Sequence, residues 1–413
     1  MQIKAIRGTK DILPQDSRLW RSIEEKAKNL SEVYGYRQIR TPILEEARLF
    51  VRSIGKSSDI VRKEMYAFLD RKKRLLCLRP EATASVVRAY LEHGFDKTIS
   101  LAKFYYLGPM FRAERPQAGR LRQFYHIGVE AIGSASPYLD AEVISLAVRM
   151  LEGIGLQGFA LHLNSIGCQK DRQKYKTNLK AALKNKLKSL CADCRARYKV
   201  NPLRVFDCKN PHCKEIINSL PKVAASLCRE CQDHFSKVKL ALESLNIDYA
   251  FSPHLVRGLD YYTKTCFEIT HPQLGAQNAV GAGGRYDDLV SDLGGPQKPA
   301  VGFSLGVERV IAALGPQKTE AIPPKLYMAA IGEEAKRTAF KVLDSLRAKG
   351  IAATAGYQDS SLKAQMRQAD KLGARYVTIL GSEELTKKTI ILRDMQNKTQ
   401  EEIPINKLFE ELK

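Results

Sequence analysis

No stretch of the 413-residue chain approaches the roughly 18 uncharged apolar residues that a membrane-spanning helix needs. The opening residues, MQIKAIRGTKDILPQDSRLW, carry no apolar run of the secretory-signal kind. The expectation is therefore a protein that is neither exported by such a signal nor embedded in a bilayer. Internal repeats and low-complexity tracts are missing, and 44% hydrophobic with 27% charged residues excludes disordered and collagen-like chains. At roughly 100–200 residues per domain, the length predicts two or three domains.

Negative charge is also scarce, with 45 Asp+Glu against 67 Lys+Arg and a formal net charge of +22. Such an excess attracts polyanions through counterion release and points to a nucleic-acid partner. It is unevenly spread. Residues 168–240 hold 18 basic and 6 acidic side chains, so +12 of the total sits in 73 residues. There, QKYKTNLKAALKNKLKSL sets Tyr175, Leu179, Leu183 and Leu187 four apart among lysines, the pattern of a surface helix. This predicts an inserted, basic, helical unit interrupting a domain of residues 1–320.

The nine cysteines are odd in number, and six of them lie between Cys191 and Cys231. Without an export signal, this argues for reduced thiols in a cytoplasmic setting and against a disulfide scaffold. Close pairs such as Cys191-x₂-Cys194 and Cys228-x₂-Cys231 suit a tetrahedral structural Zn²⁺. Cys208 and Cys213 lie between them, so six candidates compete for four places; the two C-x₂-C pairs are the first choice.

Beyond Gly315–Pro324, a proline-rich linker, KLYMAAIG, a helix over Glu333–Lys349, IAATAGY, a helix over Ser361–Leu372 and RYVTILG alternate as β-α-β-α-β. That order predicts a small, mostly parallel sheet over 325–413, with TKKTIILRDM and TQEEIPI adding a hairpin.

Four segments could carry chemistry. FRAERPQAGRLRQFYHIGVE (111–130) reads as strand, turn and strand, with Arg112, Arg115, Arg120 and Arg122 interleaved with Glu114, Phe124, His126 and Glu130. Guanidinium forks suit phosphate oxygens, an aromatic ring can stack on a base, and a carboxylate accepts from an exocyclic amine. RPEATA (79–84) places Glu81 and Thr83 at a strand-to-helix turn, where the plain role expected of both is N-capping. RGLDYYT (257–263) and GGRYDDL (283–289) bring Arg257, Tyr261, Tyr262 and Tyr286 into loops, and GFSLGVERV closes a strand at glycine before a helix bearing Arg309.

Taken in order, IKAIRGTKDILP, LRPEAT, FRAER, RGLDYYT, GGRYDDL and GVER resemble bacterial histidyl-tRNA synthetases over essentially the whole chain. FRAER resembles motif 2 and GVER motif 3 of the class II synthetases, and RGLDYY resembles the histidine-recognition signature. The resemblance implies an α+β catalytic domain built on an antiparallel sheet, the helical insertion at 168–240, and a C-terminal α/β anticodon-binding domain at 325–413. It implies ATP-dependent ligation of L-histidine to its tRNA through a histidyl-adenylate, with Mg²⁺ accompanying ATP. Arg112 would meet the α-phosphate, Glu114 the adenine amino group, Phe124 the adenine face, and Arg309 the end of the triphosphate, with Arg120 beside them. Glu81, Thr83, His126, Glu130, Tyr261, Tyr262 and Tyr286 would hold histidine. Arg257, with Arg112, would steady the reacting carboxylate and phosphate. IRTPILEEARLF resembles motif 1, which implies a homodimer. The alternative is a synthetase-like regulatory subunit of histidine biosynthesis that binds histidine without aminoacylation, a class that generally lacks the terminal domain and the full arginine set. Position 126 is His where the family usually has Gln, and position 82 is Ala where it usually has Gly.

Overall fold

The computed structural model describes residues 3–55, 58–116, 119–208, 210–275, 277–317 and 323–412. The expected linker at 315–324 and the turn at 116–119 therefore fall partly outside the described residues. The chain forms two compact units, Met1–Thr319 and Glu320–Lys413.

Among the described residues, the first unit is built on an eight-stranded sheet. Its inner strands run antiparallel in the spatial order Ala102–Phe111, Gln123–Ile132, Ala300–Gly306, Ala279–Arg285, Thr263–Thr270 and Ala160–Ser165. Short parallel strands, Arg37–Gln38 and Ala250–Phe251, flank them. Successive side chains alternate between the faces of a strand, and this alternation divides structure from chemistry. Tyr105, Ile127, Val129, Phe267 and Val301 face one side and share a core with the helices Pro14–Val33, Pro137–Ile154 and Arg229–Ser244. Phe124, His126 and Glu130 face the other side, where the sheet is open to a cleft.

The helix Pro137–Ile154 follows from local sequence. Ser136 caps it by accepting from the Tyr138 N–H, Pro137 sits where no N–H is needed, and Gly155 ends it in the left-handed region at φ 99°. Its Asp140 is fully buried and binds Arg285 of the sheet at 2.6 Å and His234 of the third helix at 2.9 Å. Arg285, also fully buried, donates further to Asp287 at 2.9 Å and to the carbonyls of Ser134 and Ser136 at 3.0 Å. One guanidinium thus ties the sheet to the start of the helix that covers it.

The insertion is helical as expected, with Gln169–Lys184, Ala192–Val200, Pro211–Asn218 and Arg229–Ser244. Tyr175, Leu179 and Leu183 form the buried stripe of its first helix. Leu187 does not continue that stripe, because the helix ends at Lys184 and Leu187 opens a separate 3₁₀ turn. A small antiparallel sheet of Leu44–Glu46, Leu75–Leu78 and Ala67–Leu69 precedes the helix Thr83–Glu92.

The second unit carries a five-stranded sheet ordered Ala353–Ala355, Leu326–Ala330, Tyr376–Leu380, Thr389–Asp394, Gln400–Pro404. Its first three strands are parallel and the last two form the antiparallel hairpin. The helices Glu333–Ala348 and Leu362–Lys371 lie within one residue of their expected bounds.

Candidate active site

Every one of Glu81, Thr83, Arg112, Glu114, Arg120, Phe124, His126, Glu130, Arg257, Tyr261, Tyr262, Tyr286 and Arg309 lines a single cleft of about 620 Å³ in the first unit. At its floor Glu130 is buried and accepts hydrogen bonds from the hydroxyls of Thr83 at 2.6 Å, Tyr106 at 3.3 Å and Tyr286. Burial dominates these bonds and pushes the Glu130 carboxyl up to about 8. Glu81 lies alongside, its carboxylate accepting the N–H groups of Thr83 at 2.7 Å and Ala84 at 3.0 Å. The helix Thr83–Glu92 is therefore capped by Glu81. Thr83 is not the N-cap, because its hydroxyl is directed to Glu130 instead. Tyr261 closes the wall between Tyr262 and Tyr286, with ring centroids 4.8 and 5.6 Å away.

Room for Glu130 comes from glycine on neighbouring strands. Gly302 lies opposite it in register, and a Cβ there would stand 2.0 Å from the Glu130 Oε2 atom and 2.4 Å from the Val129 carbonyl. Gly302 thus serves a carboxylate that arrives from the next strand.

Beside this carboxylate pocket the cations gather. Arg112 lies over the Phe124 ring at 5.2 Å, donates to the Pro80 carbonyl at 2.9 Å, and stands 3.9 Å from Glu114. Glu114 is buried and paired with Arg120. Arg309, in the first turn of the helix Val307–Leu314, is held by the carbonyls of Ala279, Gln277 and Gly119. Its neighbour Glu308 accepts the Tyr125 N–H, and burial lifts that carboxyl to about 7. Arg257 pairs with Glu268, and its Nε atom is buried with no hydrogen-bond partner among the described residues. A carboxylate pocket and a cluster of fixed guanidinium groups thus share one cleft, an arrangement able to hold a cationic amine and a polyanion side by side.

A family model for histidyl-tRNA synthetase matches residues 8–310, and a model for the anticodon binding domain matches residues 325–413. The chain belongs to the histidyl-tRNA synthetase family. It is 48% identical over 417 residues to the histidine–tRNA ligase of Natranaerobius thermophilus, covering 100% of this chain and 99% of that one. It is 50% identical over 403 residues to that of Moorella thermoacetica, covering 97% and 95%. The crystal structure of apo histidyl-tRNA synthetase from Staphylococcus aureus aligns over 100% of both chains with a TM-score of 0.83 at 36% identity. A Bacillus halodurans structure described as an ATP phosphoribosyltransferase regulatory subunit/histidyl-tRNA synthetase shares the fold at 21% identity and a TM-score of 0.66, covering 89% of this chain.

The two departures from the usual histidyl-tRNA synthetase pattern are His126 and Ala82. His126 is half-buried beside Phe124; burial of the imidazole first, then Arg112 and Arg79, drive it down to about 3, so it is neutral at physiological pH. Its Nδ1 atom has no hydrogen-bond partner among the described residues. Ala82 has φ −108°, so that turn makes no demand for glycine.

Three members of the constellation were not anticipated from sequence. Tyr106 binds Glu130, Glu268 pairs with Arg257, and Asp260 links the RGLDYY loop to the insertion through Asn201 at 3.0 Å and Arg172 at 2.9 Å. The expected zinc set requires correction. Cys191 and Cys194 do not meet Cys228 and Cys231. Among the described residues, Cys191 and Cys194 group with Cys208 and Cys213, while Cys228 and Cys231 group with Cys168 and Asp171. The reason is that Cys228 opens the helix Arg229–Ser244, next to the first turn of Gln169–Lys184, whereas Cys191 and Cys194 sit at the start of Ala192–Val200.

Proposed function

We propose that this chain ligates L-histidine to the tRNA for histidine at the expense of ATP, in two steps within the cleft. In the first, a histidine carboxylate oxygen attacks the α-phosphorus of ATP and pyrophosphate leaves, giving histidyl-adenylate. In the second, a ribose hydroxyl at the tRNA 3′ end attacks the histidyl carbonyl and AMP leaves.

The observation that carries the reading is the buried network of Glu81, Thr83, Glu130 and Tyr286 set beside Arg112 and Arg257. Glu81 and Thr83 take the substrate ammonium group, and Glu130, His126, Tyr261, Tyr262 and Tyr286 surround its imidazole. Phe124 stacks on adenine, Glu114 accepts from its amino group with Arg120 alongside, and Arg309 meets the far phosphates. Arg112 and Arg257 stabilise the charge that builds on phosphoryl oxygen, where one preorganised donor is worth roughly 10²–10³ in rate. Mg²⁺ would accompany the triphosphate, and the Glu268 carboxylate lining the same cleft offers the oxygen ligand it prefers. A pocket that satisfies both imidazole nitrogens leaves buried polar groups unpaired with any other amino acid, which supports selection of about 10⁴–10⁵.

The basic insertion and the second unit each bind tRNA in this reading. The second unit also argues against a regulatory subunit. No helix among the described residues is long and apolar enough to cross a membrane, and a cytoplasmic site of action fits the free thiols. A homodimer is supported by the three-stranded sheet, where Ile43, Leu44, Phe68, Leu69 and Leu75 are exposed on and beside the motif 1 segment. The test is charging of a transcribed histidine tRNA with each of the twenty amino acids. Acceptance of histidine alone supports the proposal, and failure to charge with folded, histidine-binding protein overturns it.

A further inference from the structure

The sulfur atoms of Cys191, Cys194, Cys208 and Cys213 all lie within 4.8 Å of one another, and three of the four residues are buried. Cys191 and Cys208 are 3.8 Å apart at sulfur. Zn–S bonds of about 2.3 Å arranged as a tetrahedron require a sulfur–sulfur edge of about 3.8 Å. Backbone donors already point at the sulfurs: the Cys194 N–H at Cys191 (3.4 Å) and the Cys191 N–H at Cys213 (3.3 Å). Such donors support thiolate ligands.

The second group, Cys168, Asp171, Cys228 and Cys231, has a simpler explanation. Asp171 caps two helix starts by accepting the N–H groups of Cys228 at 3.0 Å and Cys168 at 3.4 Å, and Cys228 is exposed.

The segment between Cys194 and Cys208 is the part of the insertion that grips the cleft. Its Asn201 donates to the Asp260 carboxylate at 3.0 Å, and its Arg204 donates to the Gly258 carbonyl and to Asp59 at 3.4 Å. Gly258 and Asp260 lie between Arg257 and the tyrosines Tyr261 and Tyr262. We propose that Cys191, Cys194, Cys208 and Cys213 bind one zinc ion, and that this ion closes the 195–207 segment so that Asn201 and Arg204 act as positioning residues for the 257–262 loop. The metal half stands on the thiol geometry alone; the positioning half rests on the reading of that loop as histidine-facing. On binding, the thiols release their protons to solvent.

Metal analysis of the full chain purified under reducing conditions tests the first half. One zinc per chain is expected, retained in a Cys228→Ser/Cys231→Ser variant and lost in Cys208→Ser/Cys213→Ser. Cobalt substitution should give the visible absorption of a tetrahedral thiolate site in the chains that hold zinc. Wild-type protein without zinc, or loss of zinc in the Cys228/Cys231 variant alone, overturns the site. For the second half, Asn201→Ala keeps all four thiols. It should retain zinc and raise the KM for histidine by about tenfold or more while leaving the KM for ATP unchanged, and an unchanged histidine KM overturns the positioning role. A zinc-bound protein whose ATP–pyrophosphate exchange ignores histidine would sink the functional reading and leave the metal site standing.

Discussion

Thr83 donates its hydroxyl to Glu130 across 2.6 Å, joining the first turn of a helix to a strand 47 residues further along the chain. That contact brings together the two segments assigned to the two ends of one amino acid, and both residues are buried. Burial, working against that bond, sets the protonation of Glu130. With its carboxyl lifted to about 8 by burial, Glu130 is mostly neutral at pH 7.5 in the empty cleft.

An imidazole N–H and an ammonium group entering the cleft favour the carboxylate, so histidine binding at pH 7.5 should release most of one proton from Glu130. Calorimetry in two buffers of different ionisation enthalpy measures this, and Glu130→Gln should abolish it. The sign for folding is opposite to that of an ordinary salt-bridged carboxylate. Because the folded value lies above the unfolded value of about 4.5, the empty protein loses stability as pH rises from about 4.5 to about 8, and histidine restores it.

Arg257→Ala removes the guanidinium proposed to steady the reacting carboxylate and phosphate and leaves Glu268 without its partner. Histidine-dependent ATP–pyrophosphate exchange should fall by at least about 10²-fold. Near-normal exchange would remove Arg257 from the mechanism.

Gly302→Ala drives a methyl group against Glu130 and the Val129 carbonyl. The strain should cost about 1–3 kcal/mol in thermal or urea unfolding. The displaced carboxyl should raise the histidine KM more than the ATP KM, and equal increases would argue for general distortion instead.

Asp140→Ala leaves Arg285 buried with its principal counter-ion gone. Breaking a buried pair in this way costs about 3–5 kcal/mol, which urea unfolding of the first unit should register. A loss below about 1 kcal/mol would mean that Asp287 and the carbonyls of Ser134 and Ser136 suffice for the guanidinium.

Replacing Lys180, Lys184 and Lys188 by Gln removes exposed charge from the insertion without touching the cleft. tRNA affinity should fall and its dependence on salt should flatten, while exchange measured without tRNA stays unchanged. An unchanged salt slope would place the tRNA elsewhere on the surface.

Segments whose chemistry is local were readable in the sequence. Guanidinium groups, a stacking ring and a carboxylate within FRAERPQAGRLRQF announce two strands joined by a segment whose Arg112, Glu114 and Arg120 line the cleft. The alternation of apolar runs and helical periods in 325–413 gives its strand and helix order. Relationships that depend on register were not readable. Tyr106 is one of three consecutive aromatic residues in FYY, and only the pairing of its strand directs its hydroxyl to Glu130. Glu268 left a trace, as an acid in the otherwise apolar stretch CFEIT, but its partner is fixed by the path of the 257–262 loop. The cysteines are the clearest case. C-x₂-C spacing marks pairs, yet which pairs meet depends on where each helix begins, and Cys168 lies outside the cysteine-rich stretch that spacing singles out.

The most direct test of the account is ATP–pyrophosphate exchange by the purified full chain with each of the twenty amino acids, without tRNA. The account predicts exchange with histidine alone, lost in Arg257→Ala and strongly reduced in Glu130→Gln. Exchange with another amino acid, or none from folded protein that still binds histidine, would contradict it.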